Sequence, residues 1–243
     1  MSLIPPRHGH DRRWFLHSLT VGIAAFSAPG AFAQQLAETA TTTEGPFYPD
    51  KLPLDTDNDL LILNDAITPA VGSITLLTGR VLSPSGQPIR NAFVEIWQTD
   101  TTGSYVHTAG RQPTGHDRNF QGYGRFLTDA QGRYYFRTIK PVSYTLQGIF
   151  RTAHIHFGIS RSGRRVFTSQ MLVEGEPGNA RDGVMRRLSP DALKTLLVPF
   201  TPVPASRLGE LTANFDVVLG RTAAEDDAGQ LRGVAAPLSR RGG

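Results

Sequence analysis

An all-β fold, a β-sandwich with one short helix and long irregular loops, is predicted by three features of the 243-residue chain. Glycine (25 residues) and proline (17) are frequent but follow no fixed period, which marks many turns and excludes collagen. Short segments of strand character recur between those turns, and only one helix signal stands out. Hydrophobic residues at 39% and charged residues at 19% leave material for a sizeable core and exclude a disordered solvating chain.

The elements follow in order. Residues 74–82 form the first strand, closed by the turn Ser83-Pro-Ser-Gly-Gln-Pro88. Residues 92–98 alternate apolar and polar side chains at period 2. Residues 126–128 and 133–137 read as a hairpin about a Gly-marked turn, Asp129-Ala-Gln-Gly132. Residues 153–160 and 165–173 make a second pair around Ser162-Gly163, and residues 211–219 a late strand with Ala213, Phe215 and Val217 on one face. The helix opens with Ser189 as N-cap and Pro190 at its first position, and runs to Leu197.

Both ends of the chain read differently from its middle. Asp11-Arg-Arg-Trp-Phe-Leu16 precedes a weakly apolar run over 19–26 and the small-residue site Ala31-Phe-Ala33. A charged region, a short apolar region and an A-x-A site make residues 1–33 an export signal, and its Arg-Arg-x-Phe-Leu core resembles the twin-arginine type. Asp11 and His17 stand where that pattern prefers a hydroxyl and a lysine; an amphipathic N-terminal helix is the other reading. The apolar run is shorter than the roughly 20 residues of a membrane span, so export to the periplasm or beyond is expected, with no stable membrane anchor. Residues 34–221 suit one domain, and 222–243, poor in apolar side chains, read as a disordered tail.

The net charge of +4 is almost wholly arginine, since Lys51, Lys140 and Lys194 are the only lysines. Basic residues scatter, and no stripe of them alternates with aromatics, so nucleic-acid binding is excluded. Cysteine is absent. That excludes disulfide scaffolds, zinc ribbons, iron–sulfur clusters and thiol nucleophiles, and leaves His, Tyr or carboxylates to hold any metal.

One segment carries ligand spacing: Arg151-Thr-Ala-His154-Ile-His156-Phe-Gly-Ile159. On a strand, Ile155, Phe157 and Ile159 share one face, and His154 and His156 stand together on the other. Alone, such a pair is more often a polar strand face than a metal site. A two-His-one-carboxylate iron(II) centre is the obvious completion. Yet no Asp or Glu lies two residues from either histidine, and the stretch upstream offers tyrosines.

Five motifs then occur in one order. They are Thr43-Glu-Gly-Pro-Phe-Tyr-Pro49, Gly103-Ser-Tyr-Val-His107, Phe136-Arg-Thr-Ile-Lys-Pro141, Arg151-Thr-Ala-His-Ile-His-Phe157 and Ser169-Gln-Met-Leu-Val-Glu-Gly-Glu-Pro177. The series resembles the intradiol ring-cleavage dioxygenase family and, within it, the iron-binding subunit of protocatechuate 3,4-dioxygenases. The resemblance implies non-haem iron(III) held by Tyr105, Tyr144, His154 and His156. It also implies Arg151 as the active-site arginine and Gln170 as its partner, with Tyr144 released to accept a substrate proton. A free phenol ionises near about pH 10, but a trivalent cation strips its proton, and two phenolates offset two of three metal charges. His107 shares a face with Tyr105 and is expected to order nearby polar groups without binding metal; His116 is expected in a loop.

The implied activity is O2-dependent opening of a catechol-type ring between its two hydroxyl-bearing carbons, giving a muconate-type dicarboxylic acid. The 144–151 segment is shorter than in protocatechuate enzymes, with Leu146 where those carry tryptophan, and, with little chain between residue 33 and Thr43, the helical dimerisation region of catechol 1,2-dioxygenases is expected to be absent. A homo-oligomer stays open. The competing class is an exported β-sandwich binding module with a structural or non-iron metal site.

Overall fold

Period-2 alternation along a few long strands sets the architecture. The computed structural model describes residues 35–63 and 68–220, with the backbone of 224–225 and 231–232. In chain order the strands are β1 (Ile74–Leu82), β2 (Phe93–Trp97), β3 (Tyr123–Leu127), β4 (Arg133–Ile139), β5 (Tyr144–Leu146) and β6 (Ile149–Arg151). They continue with β7 (His154–Arg161), β8 (Arg164–Val173), β9 (Leu197–Val198), β10 (Thr201–Pro202), β11 (Leu211–Asn214) and β12 (Val217–Val218). One sheet runs β10–β11–β1–β4, with β12 extending the path of β11 along β1. The other runs β3–β2–β7–β8–β9, and β5–β6 is a separate hairpin.

The two sheets pack face to face, as an all-β sandwich requires. Leu77, Val81, Tyr134, Phe136, Phe215 and Val217 come from the first sheet's side. Val94, Ile96, Ile155, Phe157, Ile159 and Met171 meet them from the second. Phe157 is the hinge pin of this layer, with ring centroids 4.9 Å from Phe215 and 5.9 Å from Tyr134.

Three sequence expectations are corrected. The segments 126–128 and 133–137 do flank a Gly132 turn, whose N–H donates to the Asp129 carbonyl at 3.0 Å, but they do not pair as a hairpin. β3 pairs with β2 and β4 with β1, so the turn carries the chain from one sheet to the other. Turn chemistry fixes the reversal, while the longer ladders on either side decide the partners. The late strand over 211–219 is interrupted, because the Asp216 carboxylate takes the Arg80 N–H at 2.9 Å where a ladder carbonyl would. The helix is capped by Ser189 as expected, but it ends at Lys194. Leu196 is fully buried there, and Leu197 enters the sheet edge beside Leu172.

The expected export signal over 1–33 lies outside the described residues. Of the expected tail over 222–243, the described part is a two-residue ladder, Ala224–Glu225 against Leu231–Arg232. Truncating the central ring tests the sandwich: Phe157→Ala should lower the unfolding free energy by about 3–5 kcal/mol in denaturant titration. A loss under about 1 kcal/mol would show that the sheets do not close on this ring.

Candidate metal centre

Strand β7 is buried on both faces. Ile155, Phe157 and Ile159 fill the sandwich core, and His154 and His156 face the other way while staying 2% exposed. Because β7 lies between β2 and β8, His156 has Trp97 and Gln170 as its cross-strand neighbours. The Trp97 indole lies flat on the His156 ring, 4.8 Å between centroids and 7° between planes. In the next row Gly158 has no side chain, and the Arg165 guanidinium occupies the space that a Cβ there would need. Arg165 pairs with Glu95 at 2.8 Å and Glu44 at 3.2 Å, and lies over both Trp97 and Tyr48. Glu95 also accepts hydrogen bonds from Tyr123 at 2.6 Å and Tyr48 at 2.9 Å. A satisfied ionic and aromatic floor therefore supports the stacked indole.

Tyr105 reaches the histidines from the loop after β2. The buried Asp100 shapes that loop, its carboxylate accepting from the backbone N–H groups of Thr102 at 2.8 Å, Ser104 at 3.1 Å and Asp117 at 2.6 Å. His107 does order its surroundings: its Nδ1 accepts from the Ala109 N–H at 3.1 Å and caps the turn Thr108–Gly110. His116 sits in a loop, its pKa lowered by partial burial and by Arg111.

Tyr144 comes from the β5–β6 hairpin. Its two-residue turn, Gln147 at φ +52° and Gly148 at φ +76°, has the left-handed pair that suits strand twist, and glycine takes the second position without strain. The turn places Tyr144 directly opposite Arg151 in the ladder and buries Leu146 in the aromatic cluster of Trp97, Tyr105 and Tyr123.

The four donor atoms converge. Tyr105 Oη lies 3.0 Å from Tyr144 Oη, 3.0 Å from His156 Nε2 and 3.2 Å from His154 Nε2, and the two Nε2 atoms are 3.2 Å apart. His154 Nδ1 is 2.5 Å from the Thr152 carbonyl, which only accepts, so Nδ1 carries the proton and Nε2 offers a lone pair. His156 Nδ1 is buried with no hydrogen-bond partner among the described residues.

Burial, helped by Arg151, drops the His154 pKa to about 3, and burial with His154 beside it pushes His156 well down, so both imidazoles are neutral. Burial pushes both phenols up, Tyr105 further because Tyr144 adjoins it. Two phenol protons cannot serve every lone pair in this cluster, since Tyr105 Oη faces Tyr144 Oη and both Nε2 atoms, and the two Nε2 atoms face each other. The four groups are good ligands for a strongly charged cation, which stabilises phenolates. Donors bound to one ion at about 2.0–2.2 Å stand roughly 3 Å apart, which is the spacing found here.

Arg151, 12% exposed, donates through Nη2 to Gln170 Oε1 at 2.5 Å and through Nε to Asp182 at 2.9 Å. Gln170 in turn donates to the Thr43 carbonyl at 3.0 Å, tying in the segment that opens the motif series. All six residues singled out in the sequence thus meet in one place. Trp97, Glu95 and Asp182 were not foreseen. Trp97 and Glu95 had a signal in the alternation of 92–98, which put them on the face away from Val94 and Ile96. Asp182, in a turn-rich loop, had none.

Comparison with known proteins agrees with this geometry. The dioxygenase family model matches residues 43–220. The chain is 39% identical over 160 residues to the protocatechuate 3,4-dioxygenase beta chain of Burkholderia cepacia, covering 63% of this chain and 67% of that one. It is 33% identical over 153 residues to catechol 1,2-dioxygenase 2 of Acinetobacter lwoffii, covering 57% and 52%. The chain therefore spans about half the length of that relative. Among solved structures, catechol 1,2-dioxygenase from Acinetobacter sp. ADP1 matches with a TM-score of 0.59 and 25% identity, covering 86% and 69%. The dioxygenase domain of a carbohydrate-binding fusion from Streptomyces sp. SirexAA-E matches at 0.54 and 28%, covering 75% and 98%. Fold, site and relatives define a dioxygenase domain. Within that class, the chain belongs to the intradiol ring-cleavage dioxygenase family.

The histidines predict an acid-sensitive metal-free protein. Their folded pKa values lie below the unfolded value of about 6.5, so the unfolded chain binds more protons as pH falls from there toward about 3. Stability from these groups is present above about pH 6.5 and is lost through that window. Denaturant unfolding at pH 7 and pH 5 should show a smaller loss for the His154→Asn, His156→Asn double variant than for the parent. Equal losses would show that the histidines are not buried neutral.

Proposed function

We propose that this chain is an exported iron(III) dioxygenase that opens a catechol-type ring between its two hydroxyl-bearing carbons. The observation that carries the reading is the convergence of two phenol oxygens and two imidazole nitrogens, with Tyr105 Oη within 3.2 Å of the other three and the two nitrogens 3.2 Å apart. Tyr105, Tyr144, His154 and His156 would hold the metal. Ferric iron bound there would supply a Lewis acid that keeps the phenols ionised and lets a catechol lose both hydroxyl protons at neutral pH, and the doubly deprotonated ring is the electron-rich one that O2 attacks.

The protein's own part follows from its side chains. Of the two phenols, Tyr144 Oη would be the one to yield to substrate, because Tyr144 is 7% exposed against 1% for Tyr105 and sits on a two-stranded hairpin outside the main sheets. Its phenolate oxygen would then be free to take a proton from a substrate hydroxyl. Tyr105 stays, wedged among Phe47, Tyr144 and His156. The neutral imidazoles would keep their Nε2 lone pairs available to the metal throughout the physiological range. Arg151 keeps its charge fixed beside the centre through Asp182 and Gln170, where it stabilises negative charge that develops on the ring.

The product should be a muconate-type dicarboxylic acid containing both atoms of O2. Labelled O2 and mass spectrometry decide this, and a semialdehyde product would overturn it. Arg151→Ala should still bind catechol but turn over about 10²–10³-fold more slowly, since it removes stabilisation that acts after chelation.

Export is the second part of the reading. Arg12 and Arg13, the apolar run over 19–26 and the Ala31-Phe-Ala33 site support it. Replacing both arginines with lysine should leave the protein in the cytoplasm of its host on cell fractionation. Undiminished export would remove the twin-arginine assignment.

A further inference from the structure

We infer that Asp182 is a positioning residue for the centre, holding Arg151 and His154 in place through one buried carboxylate. It lies in the loop after β8, between the turns Pro177–Ala180 and Met185–Arg187, and its side chain is fully buried. Oδ2 accepts from Arg151 Nε and from the Thr152 N–H, both at 2.9 Å. Oδ1 accepts from the Val184 N–H at 2.8 Å and the Met185 N–H at 3.2 Å.

The consequence runs along two adjacent residues. Thr152 receives the carboxylate on its N–H and presents its carbonyl to His154 Nδ1, so the residue that Asp182 clamps is the one that sets the His154 tautomer. Arg151 is held at Nε by Asp182 and at Nη2 by Gln170, two points that fix the guanidinium plane. Neither of these two hydrogen bonds uses Nη1. Burial alone would raise the Asp182 pKa, but the Arg151 charge and the backbone donors outweigh it, and the carboxyl is held below its ordinary value. A neutral residue could not replace it without stranding two N–H donors.

The inference rests on the proposed activity, and its test separates the two. Asp182→Asn, Arg151→Ala and the double variant are assayed with catechol at saturating iron, beside chelator competition and melting of each metal-free protein. Asp182→Asn should lower kcat about 10–100-fold, with KM changed less than kcat. Combined with Arg151→Ala it should add little, because both act through the same guanidinium. Asp182→Asn should also hold iron about tenfold less tightly, through Thr152 and His154, an effect that Arg151→Ala does not produce.

Multiplicative losses in kcat, or unchanged iron retention, would overturn the inference while leaving an active parent and its proposed function intact. A parent that cleaves no catechol would overturn both. Should Asp182→Asn not fold, Asp182→Ser keeps an acceptor for the backbone donors and goes through the same cycle. Loss of the fold in both variants would assign Asp182 to folding alone and overturn the inference.

Discussion

Everything at this centre depends on strand β7 being buried on both faces with opposite contents. One face is aliphatic and aromatic and closes the sandwich; the other puts two imidazoles side by side. A one-residue slip of β7 would exchange those faces, placing histidines in an apolar core and isoleucines at the donor cluster. The core and the centre therefore specify the same register. The cross-strand row Trp97–His156–Gln170 is the visible result, with stacking on one side of the histidine and the partner of Arg151 on the other.

The two histidines are held by different means. His154 is oriented by a hydrogen bond to the Thr152 carbonyl. His156 has no partner at Nδ1 among the described residues and is oriented by the Trp97 face, itself supported by Arg165, Glu95 and Tyr48. The arrangement is costly without a cation, since the two buried Nε2 atoms face each other at 3.2 Å with too few protons between them and the phenols, and His156 Nδ1 is buried without a partner among the described residues. Stability is given up where function needs a donor cluster, and the packed sheets around it carry that cost.

Strand alternation made β1, β2, β7 and β8 legible, because each has a face whose burial is written at period 2. It also made the shared face of His154 and His156 legible. Tyr105 and Tyr144 were not readable by period, since one lies in an irregular loop and the other on a short hairpin; only the ordered motifs pointed to them. The pairing of β3 and β4 was misread because the local turn resembles a hairpin while the partners are distant in sequence. Trp97 becomes a support for His156 only once β2 is known to pair with β7. Asp182 reaches Arg151 across 31 residues from a loop with no periodic signal.

The central claim is that two tyrosines and two histidines bind ferric iron. Its most direct test is the optical spectrum of the purified, iron-quantified protein beside that of Tyr105→Phe. One iron per chain with a visible tyrosinate-to-iron(III) charge-transfer band, lost or shifted in Tyr105→Phe, is the predicted result. An iron-replete protein without colour, or a band untouched by Tyr105→Phe, would contradict it.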